Sequence, residues 1–188
     1  MRLVATVCFY LILLIGHSNL EGQTVAQTQA GRAKIESATL GTANNVHRAG
    51  KLYFAGQFSP TDVEIIKQEK FKRVITLRTN GEIDWDEKSA IEEAGIEFSI
   101  VSFQSPQALN DQVFDKIRKL LKDSDTKTLL HCGSANRVGG AWLPFRVLDE
   151  KVDVDTATKE AKEIGLRSEA IKRKALDYII RHQSQKRK

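Results

Sequence analysis

Cysteine is scarce in this sequence: its 188 residues contain only Cys8 and Cys132, together with three prolines and one methionine. So few cysteines exclude a domain held together by a set of disulfides, and so few prolines exclude a collagen-like chain. No cluster of His, Cys and Asp residues has the spacing of metal ligands, so we expect no metal and no other cofactor. The remaining composition, 41% hydrophobic and 28% charged residues, is typical of one globular domain.

Long apolar runs are also absent, apart from the 13 residues Leu3–Ile15. This run follows Arg2 and is shorter than the ~20 residues that span a bilayer. A basic residue before the run and small, polar residues after it are typical of a secretory signal peptide. We therefore predict a signal peptide at residues 1–22 and a secreted or periplasmic protein without a membrane span after cleavage. The alternative is an uncleaved signal that anchors the protein in the membrane.

Removal of such a signal peptide would also remove Cys8 and leave Cys132 as the only thiol. A single cysteine cannot form an internal disulfide, and an exposed idle thiol is a liability in an oxidising compartment. The lack of a pairing partner favours a chemical role for Cys132, with a buried, inert cysteine as the alternative.

Positive charge is only slightly in excess: the sequence has 29 Lys and Arg residues and 24 Asp and Glu residues, which gives a net charge of +5. A surplus of this size is compatible with an anionic substrate but does not indicate nucleic-acid binding. No stripe of basic and aromatic residues accompanies the charge. We therefore predict no nucleic-acid partner.

Strands alternate with helices along residues 46–183, which we predict to form one domain after a flexible lead at 23–45 and before a basic tail at 184–188. Apolar and β-branched runs predict strands at Leu52–Ala55, Phe71–Leu77, Ile96–Phe103 and Thr126–Leu130. Apolar periodicity and capping residues predict helices at Thr61–Lys70, Asp86–Ala94, Asp111–Lys122, Val138–Leu148, Asp155–Ile164 and Ser168–His182. This order predicts an α/β fold with a central, mostly parallel sheet flanked by helices. Ligands of such folds bind at the carboxyl ends of the strands.

The segment that follows the last predicted strand reads His-Cys-Gly-Ser-Ala-Asn-Arg-Val. It leads from a buried strand into Cys132, continues through small residues and reaches Arg137 at the start of a helix. Unpaired amides at a helix start bind anions, and with Arg137 they favour the thiolate form of Cys132. The planar guanidinium of Arg137 can bind two phosphate oxygens at once. We predict Cys132 as the nucleophile and a phosphate-binding loop formed by Gly133, Ser134, Ala135, Asn136 and Arg137.

This loop resembles the active-site loop of the cysteine-dependent protein tyrosine phosphatases. The sequence is more specifically similar to a bacterial branch of that superfamily, related to the phosphatase-like domain fused to beta-lactamase-like hydrolases, whose loop has the form His-Cys-x-Ser-Gly-x-Arg-Val. Similarity extends upstream to Gly56–Pro60 and Val74–Arg78 and downstream to Ala161–Leu166, so that it covers roughly residues 46–180.

The resemblance implies a cysteine phosphatase-like fold and a phosphatase that hydrolyses a phosphate monoester, of an aryl, phosphotyrosine-like kind, through a thiophosphate intermediate. The implied partner is a phosphorylated protein or a small phosphate ester. We expect His131 to orient Cys132 and its loop by hydrogen bonding rather than to act as a base, with a merely packed histidine as the alternative.

The sequence departs from the phosphatase pattern in two places. Four residues separate Cys132 from Arg137, whereas ordinary tyrosine phosphatases have five, and four is also the loop length of rhodanese-like sulfurtransferases. Ala135 stands where the bacterial branch usually has glycine, and it strains the loop if that position requires a positive φ. A sulfurtransferase with a persulfide on Cys132 and a non-catalytic phosphate-binding module are therefore the alternative functions.

A phosphatase of this type also needs an aspartate as general acid to protonate the leaving oxygen. The loop Val101–Pro106, which follows the third predicted strand, contains no acidic residue. Asp111 is the nearest acid downstream, and we predict it as the general acid, with a helix-capping role as the alternative. Asp84 and Asp86, on either side of Trp85, form the other candidate loop.

Overall fold

A six-stranded sheet lies at the centre of the protein in the computed structural model, which describes residues 33–123 and 125–185. The strands lie side by side in the order β1-β2-β3-β6-β4-β5. They are β1 (Glu36–Ser37), β2 (His47–Ala49), β3 (Leu52–Ala55), β4 (Arg73–Thr76), β5 (Glu97–Ile100) and β6 (Thr128–His131). Strands β3, β6, β4 and β5 are mutually parallel, whereas β1 and β2 extend the sheet in antiparallel fashion. The predicted mostly parallel α/β sheet is confirmed.

Six α-helices and one short 3-10 helix accompany the sheet among the described residues. They are the 3-10 helix Pro60–Asp62, then α1 (Val63–Gln68), α2 (Glu87–Glu93), α3 (Asp111–Lys122), α4 (Asn136–Leu148), α5 (Val154–Ile164) and α6 (Glu169–Gln185). Helix α4 is the central helix, because every residue from Val138 to Leu148 is buried. It continues through Pro144 without interruption. None of the described helices is long and apolar enough to cross a membrane.

The register of the sheet places the ends of three strands at one level. His131, the last residue of β6, is paired with Ala55 on β3 and with Thr76 on β4. All four residues of β6 are buried, since it is hydrogen-bonded on both edges and covered on both faces. Cys132 therefore leaves the sheet at the carboxyl edge, next to the residues that follow β3 and β4, where ligands of parallel sheets bind.

The predicted flexible lead is wrong for the part of it that the structure describes. Glu36 and Ser37 pair with β2, and Leu40 is only 3% exposed. Thr42 is tied to the domain through Asp62, which accepts hydrogen bonds from the amide of Thr42 at 3.0 Å and from its hydroxyl at 2.6 Å. Residues 33–45 belong to the same compact unit as the residues predicted to form the domain from 46 onward. The predicted signal peptide lies outside the described residues.

Several predicted bounds also need correction. The predicted helix Thr61–Lys70 is a 3-10 turn followed by the short α1, and the three predicted strands after β3 are each shorter than expected. Strands β1 and β2 were not predicted. The last helix continues past His182 to Gln185, so the first part of the predicted basic tail is helical.

Candidate active site

The loop between β6 and α4 consists of residues 132–135. Cys132 is 1% exposed and carries a free thiol, and its amide donates to the carbonyl oxygen of Ala55 on β3 at 3.3 Å. Ala135 precedes α4 with φ of 62° and ψ of 1°, the left-handed conformation. This position therefore does require a positive φ, and alanine there costs roughly 1 kcal/mol relative to glycine. The chain accepts this strain within the predicted phosphate-binding loop.

Carbonyl groups of the loop are fixed from outside it. The oxygen of Gly133 accepts a hydrogen bond from the amide of Gln57 at 3.1 Å. The oxygen of Ser134 accepts from Asn45 Nδ2 at 3.1 Å and from Arg167 Nη2 at 3.3 Å. Carbonyls that are held outward leave the amides of a tight loop free to point inward, which is the arrangement of an anion-binding nest.

Asn136 has a different role from the one that its place in the predicted phosphate-binding loop suggested. Its side-chain oxygen accepts hydrogen bonds from the amides of Arg167 at 2.7 Å and Ser168 at 3.0 Å. The side chain thus joins the start of α4 to the start of α6. Its predicted part in the phosphate-binding loop stays a prediction.

Arg137 is partly buried, with a side chain that is 14% exposed, and is held by three residues. Its Nη1 donates to the carbonyl oxygens of Leu77 and Phe103, each at 3.0 Å, and to Oε1 of Glu82 at 2.9 Å. Its Nη2 donates to Oε2 of Glu82 at 2.5 Å. Burial acts to lower the pKa of Arg137, but Glu82 and the nearby sulfur of Cys132 raise it overall. Arg137 is therefore a fixed cation next to the thiol.

The geometry of these contacts leaves one edge of the guanidinium available. Of the five N–H groups of an arginine, those of Nη1 and one of Nη2 bind Leu77, Phe103 and Glu82. The Nε hydrogen and the second Nη2 hydrogen have no carbonyl or carboxylate acceptor in the part of the chain that the structure describes. These two groups lie parallel on one edge of a planar guanidinium, the fork that binds two oxygens of a phosphate.

Glu82 is a functional residue that the sequence did not reveal. It lies in the loop after β4, and besides Arg137 it accepts hydrogen bonds from the amide and the hydroxyl of Thr79, each at 2.7 Å. The hydrogen bond from Arg137 lowers the pKa of Glu82 to about 2, against the opposing effect of burial, with further help from Thr79. Glu82 thus orients Arg137. Strand β4 ends beside the site, and Glu82 is an acidic residue in the loop that follows it. That position is the signal in the sequence that could have identified Glu82.

We expect Glu82 to make stability dependent on pH. A pKa of about 2 in the folded state, compared with 4.5 ordinarily, corresponds to roughly 3 kcal/mol of stability from ionised Glu82. Because the pKa is lowered on folding, this stability is present above pH ~4.5 and is lost as the pH falls toward 2. Glu82→Gln should therefore unfold at lower denaturant concentration at pH 7 and show a flatter decline between pH 5 and 2. Equal pH dependence in both proteins would show that Glu82 is not held by Arg137.

His131 lies beneath the loop and is fully buried. Its Nε2 is 3.1 Å from Oε1 of Glu87, itself 4% exposed, but the approach is not aligned as a hydrogen bond, and neither ring nitrogen has a hydrogen-bond partner among the described residues. The ring of Phe58 packs on it at a centroid distance of 4.9 Å. These contacts fix the position of His131 by packing, and its predicted role in orienting Cys132 by hydrogen bonding stays a prediction.

The structure does not bring Asp111 to the loop. Asp111 opens α3 and forms a two-point ion pair with Arg181 on α6, at 2.5 and 2.8 Å. Arg181 lowers the pKa of Asp111 and so stabilises the ionised form, which cannot donate a proton. No contact joins Asp111 to residues 131–137 in the described part of the chain. The prediction of Asp111 as general acid is untested, and its surroundings argue against that role.

The two other candidate acids differ from each other. Asp86 is the N-cap of α2, where its carboxylate accepts from the amide of Ser89 at 3.0 Å and from the hydroxyl of Ser89 at 2.8 Å. The hydrogen bonds from Ser89 lower the pKa of Asp86. Asp84 is exposed and faces an open cleft of about 540 Å³.

That cleft adjoins the phosphate-binding loop. Its walls are the segments 57–60 and 81–85 together with Arg78. Gln57 on one wall bonds to the carbonyl of Gly133, and Glu82 on the other wall bonds to Arg137. Trp85 lines the cleft and packs edge-on against Phe58 at a centroid distance of 5.8 Å. The cleft is therefore a space next to the loop for the part of a substrate that extends beyond its phosphate.

Gly165, which ends α5, packs directly against the loop. Its φ is +140°, and a Cβ there would lie 3.0 Å from the Cβ of Ala135 and 3.3 Å from the carbonyl oxygen of Ser134. We expect Gly165→Ala to cost roughly 2–4 kcal/mol in the free energy of unfolding, because strain adds to a clash with rigid backbone. We also expect it to weaken phosphate binding.

Gly95→Ala is the matched control. Gly95 also has a positive φ, +77°, but an added Cβ would meet nothing within 4 Å. This variant should lose only about 1 kcal/mol and bind phosphate as the parent does. Equal losses in the two variants, measured by urea unfolding, would contradict the proposed contact between Gly165 and the loop.

No group of three or more His, Cys, Asp or Glu residues in the described ranges could hold a metal ion. No protein-family model matches the sequence, and no curated protein matches it.

Solved structures do match the fold. TpbA of P. aeruginosa aligns with a TM-score of 0.61 and 18% identity over 80% of this chain and 91% of its own. The core catalytic domain of the PP-IP phosphatase SIW14 from S. cerevisiae aligns with a TM-score of 0.62 and 14% identity over 79% of this chain and 96% of its own. Tk-PTP in its active form aligns with a TM-score of 0.58 and 14% identity over 69% of this chain and 92% of its own. Together with the strand–Cys132–loop–Arg137 arrangement, these alignments show that the chain has the fold of the cysteine-dependent phosphatases.

Proposed function

We propose that this protein is a cysteine-dependent phosphatase that hydrolyses a phosphate monoester. The observation that carries the proposal is the position of Arg137, which Glu82 and two carbonyl groups hold beside Cys132 with one guanidinium edge free of oxygen acceptors. An arginine with a free fork next to a thiol is arranged to bind an oxyanion that the thiol can attack.

In the first step the thiolate of Cys132 attacks phosphorus, so that an S–P bond forms while the bond from phosphorus to the leaving oxygen breaks. Arg137 and the loop amides hold the remaining phosphate oxygens and stabilise the charge that develops on them. In the second step water attacks the thiophosphate, inorganic phosphate leaves and the thiolate of Cys132 is restored. Both steps use groups of this chain and need no metal.

An aryl phosphate is the substrate class that the cleft favours. Its walls include the apolar and aromatic residues Phe58, Pro60, Ile83 and Trp85, and an aromatic leaving group fits such surroundings. A variant of TpbA has been solved in complex with pTyr, whereas SIW14 is a PP-IP phosphatase. A phosphotyrosine-like ester, free or on a protein, is therefore our first choice, with PP-IP as the comparison substrate.

The test is an assay of the reduced protein on p-nitrophenyl phosphate and on thiosulfate with cyanide as acceptor, with Cys132→Ser as control. Release of phosphate that depends on Cys132 supports the proposal. Thiocyanate formed faster than phosphate would favour a rhodanese-like sulfurtransferase instead. Phosphate binding without either reaction would identify a non-catalytic phosphate-binding module.

We further propose, from Leu3–Ile15 and its flanks, that the protein is exported to the periplasm or the medium. Fractionation of expressing cells and mass spectrometry of the exported protein test this. A mature N-terminus after residue 18 or 22 is expected, and full-length protein retained in the membrane fraction would instead indicate an uncleaved anchor.

A further inference from the structure

The proposed phosphatase reaction requires a proton for its leaving oxygen, and the structure narrows the choice of donor. Five carboxyl groups lie in the loops that follow β4 and β5 or at the start of the helices that those loops reach. They are Glu82, Asp84, Asp86, Glu87 and Asp111. A general acid must be free of ion pairs and caps and must lie beside the space that the leaving group occupies.

Three of these groups are engaged as acceptors. Glu82 accepts two hydrogen bonds from Arg137 and two from Thr79. Asp86 accepts two hydrogen bonds from Ser89 as the cap of α2. Asp111 is paired with Arg181 through both carboxylate oxygens. Each interaction stabilises the ionised carboxylate, which is the form that cannot donate a proton.

Glu87 is unsuitable for a different reason. It is 4% exposed, and its Oε1 lies against Nε2 of the fully buried His131 and accepts a hydrogen bond from Gln57 Nε2 at 3.4 Å. It also does not line the cleft formed by segments 57–60 and 81–85, where the leaving group is placed. Glu87 belongs to the support beneath the loop rather than to the surface that a substrate contacts.

Asp84 meets both requirements. It is exposed, has no hydrogen bond or ion pair with any residue of the described ranges, and lines the cleft beside the phosphate-binding loop. It follows Glu82, the residue bound to Arg137, by two positions, so that its Cα lies within about 7 Å of that of Glu82. Trp85, its neighbour, lines the same cleft and offers an apolar surface to the leaving group.

We propose that Asp84 is the general acid of this site and that the leaving group lies in the cleft against Trp85. As the S–P bond forms and the P–O bond breaks, the carboxyl of Asp84 gives its proton to the leaving oxygen, which departs as an alcohol or phenol. In the second step the carboxylate of Asp84 takes a proton from the attacking water as the O–P bond forms and the S–P bond breaks. The proton count is thereby restored after each turnover.

This inference rests on the proposed phosphatase function, and a series of leaving groups separates the two. The full chain is assayed on p-nitrophenyl, phenyl and alkyl phosphates as the parent protein and as Asp84→Asn. A missing general acid matters most for poor leaving groups, so we expect kcat/KM of Asp84→Asn to fall by roughly 10²-fold or more on phenyl and alkyl phosphates. On p-nitrophenyl phosphate we expect a decrease of less than about 10-fold, and we expect Asp84→Glu to recover part of the loss on the poor leaving groups.

Asp86→Asn and Asp111→Asn are the matched controls, and both should keep the leaving-group dependence of the parent protein. A decrease in Asp84→Asn that is equal on all three substrates, or no decrease, would overturn the assignment while leaving the phosphatase function intact. A selective loss in Asp111→Asn would overturn it in favour of Asp111. A parent protein inactive on every phosphate ester would overturn the phosphatase function and with it this inference.

Discussion

Replacement of Cys132 by serine is expected to abolish phosphatase turnover while the fold stays intact. A serine hydroxyl is almost entirely protonated near neutral pH and has no base beside it, since the ring of His131 lies beneath the loop against Glu87 and Phe58. The loss of kcat on p-nitrophenyl phosphate should be on the order of 10⁴-fold or more, as for the removal of other covalent nucleophiles.

The control for Cys132→Ser is the stability of the same variant. The side chains of cysteine and serine are similar in shape, so the free energy of unfolding should change by no more than about 2 kcal/mol. Vanadate should still bind through Arg137 and the loop amides. Turnover that survives in the serine variant would exclude a covalent cysteine mechanism. Loss of both folding and vanadate binding would mean that Cys132 is a core residue.

The second large effect is expected for Arg137→Lys. Lysine keeps the positive charge but lacks the planar fork, so it cannot bind Leu77, Phe103 and Glu82 while also offering two parallel N–H groups to a phosphate. We expect the inhibition constant for vanadate to rise by roughly 100-fold, and kcat/KM to fall at least as much. Inhibition of p-nitrophenyl phosphate hydrolysis measures both quantities.

Arg181→Lys provides the matched control for this substitution. Arg181 also binds a carboxylate through two points, that of Asp111, but its side chain is 44% exposed. Its replacement should alter stability by less than about 1 kcal/mol and leave vanadate inhibition unchanged. If the vanadate inhibition constant and kcat/KM of Arg137→Lys equal those of Arg181→Lys, the guanidinium of Arg137 does not bind the substrate.

The central part of the site was predictable from the sequence because it is local. The buried β6, Cys132, the small loop residues and Arg137 follow one another within one segment, so that strand propensity and helix-start chemistry were enough to place them. The resemblance, in which glycine usually stands at this position, predicted strain at Ala135 if its φ were positive, and its φ of 62° confirms this.

The parts that the sequence did not reveal depend on distant contacts. Glu82 meets Arg137 across 55 positions, and Asp111 meets Arg181 across 70 positions. Asp111 became a candidate acid because it is the nearest acid downstream of the Val101–Pro106 loop in the sequence, and sequence distance says nothing about a contact such as that of Glu82 with Arg137. Both assignments follow only from how α3, α4 and α6 pack around the sheet.

Strands β1 and β2 were missed for a related reason. They have two and three residues, and their side chains are mostly exposed or half-buried, so neither shows an apolar run or a clear alternation. Pairing with β3 and the anchoring of Thr42 on Asp62 order this segment instead. The segment in turn supports the loop, since Asn45 binds the carbonyl oxygen of Ser134.

The most direct test of the account is the alkylation of Cys132 by iodoacetamide in the folded parent protein, followed by mass spectrometry with and without vanadate. If Cys132 and Arg137 form an oxyanion cradle, the thiol should react at neutral pH although it is only 1% exposed, and saturating vanadate should slow the reaction by at least about 10-fold. The protection should be largely lost in Arg137→Lys. A Cys132 that reacts only after unfolding, or equally fast with and without vanadate, would contradict the account and leave the thiol as part of the core.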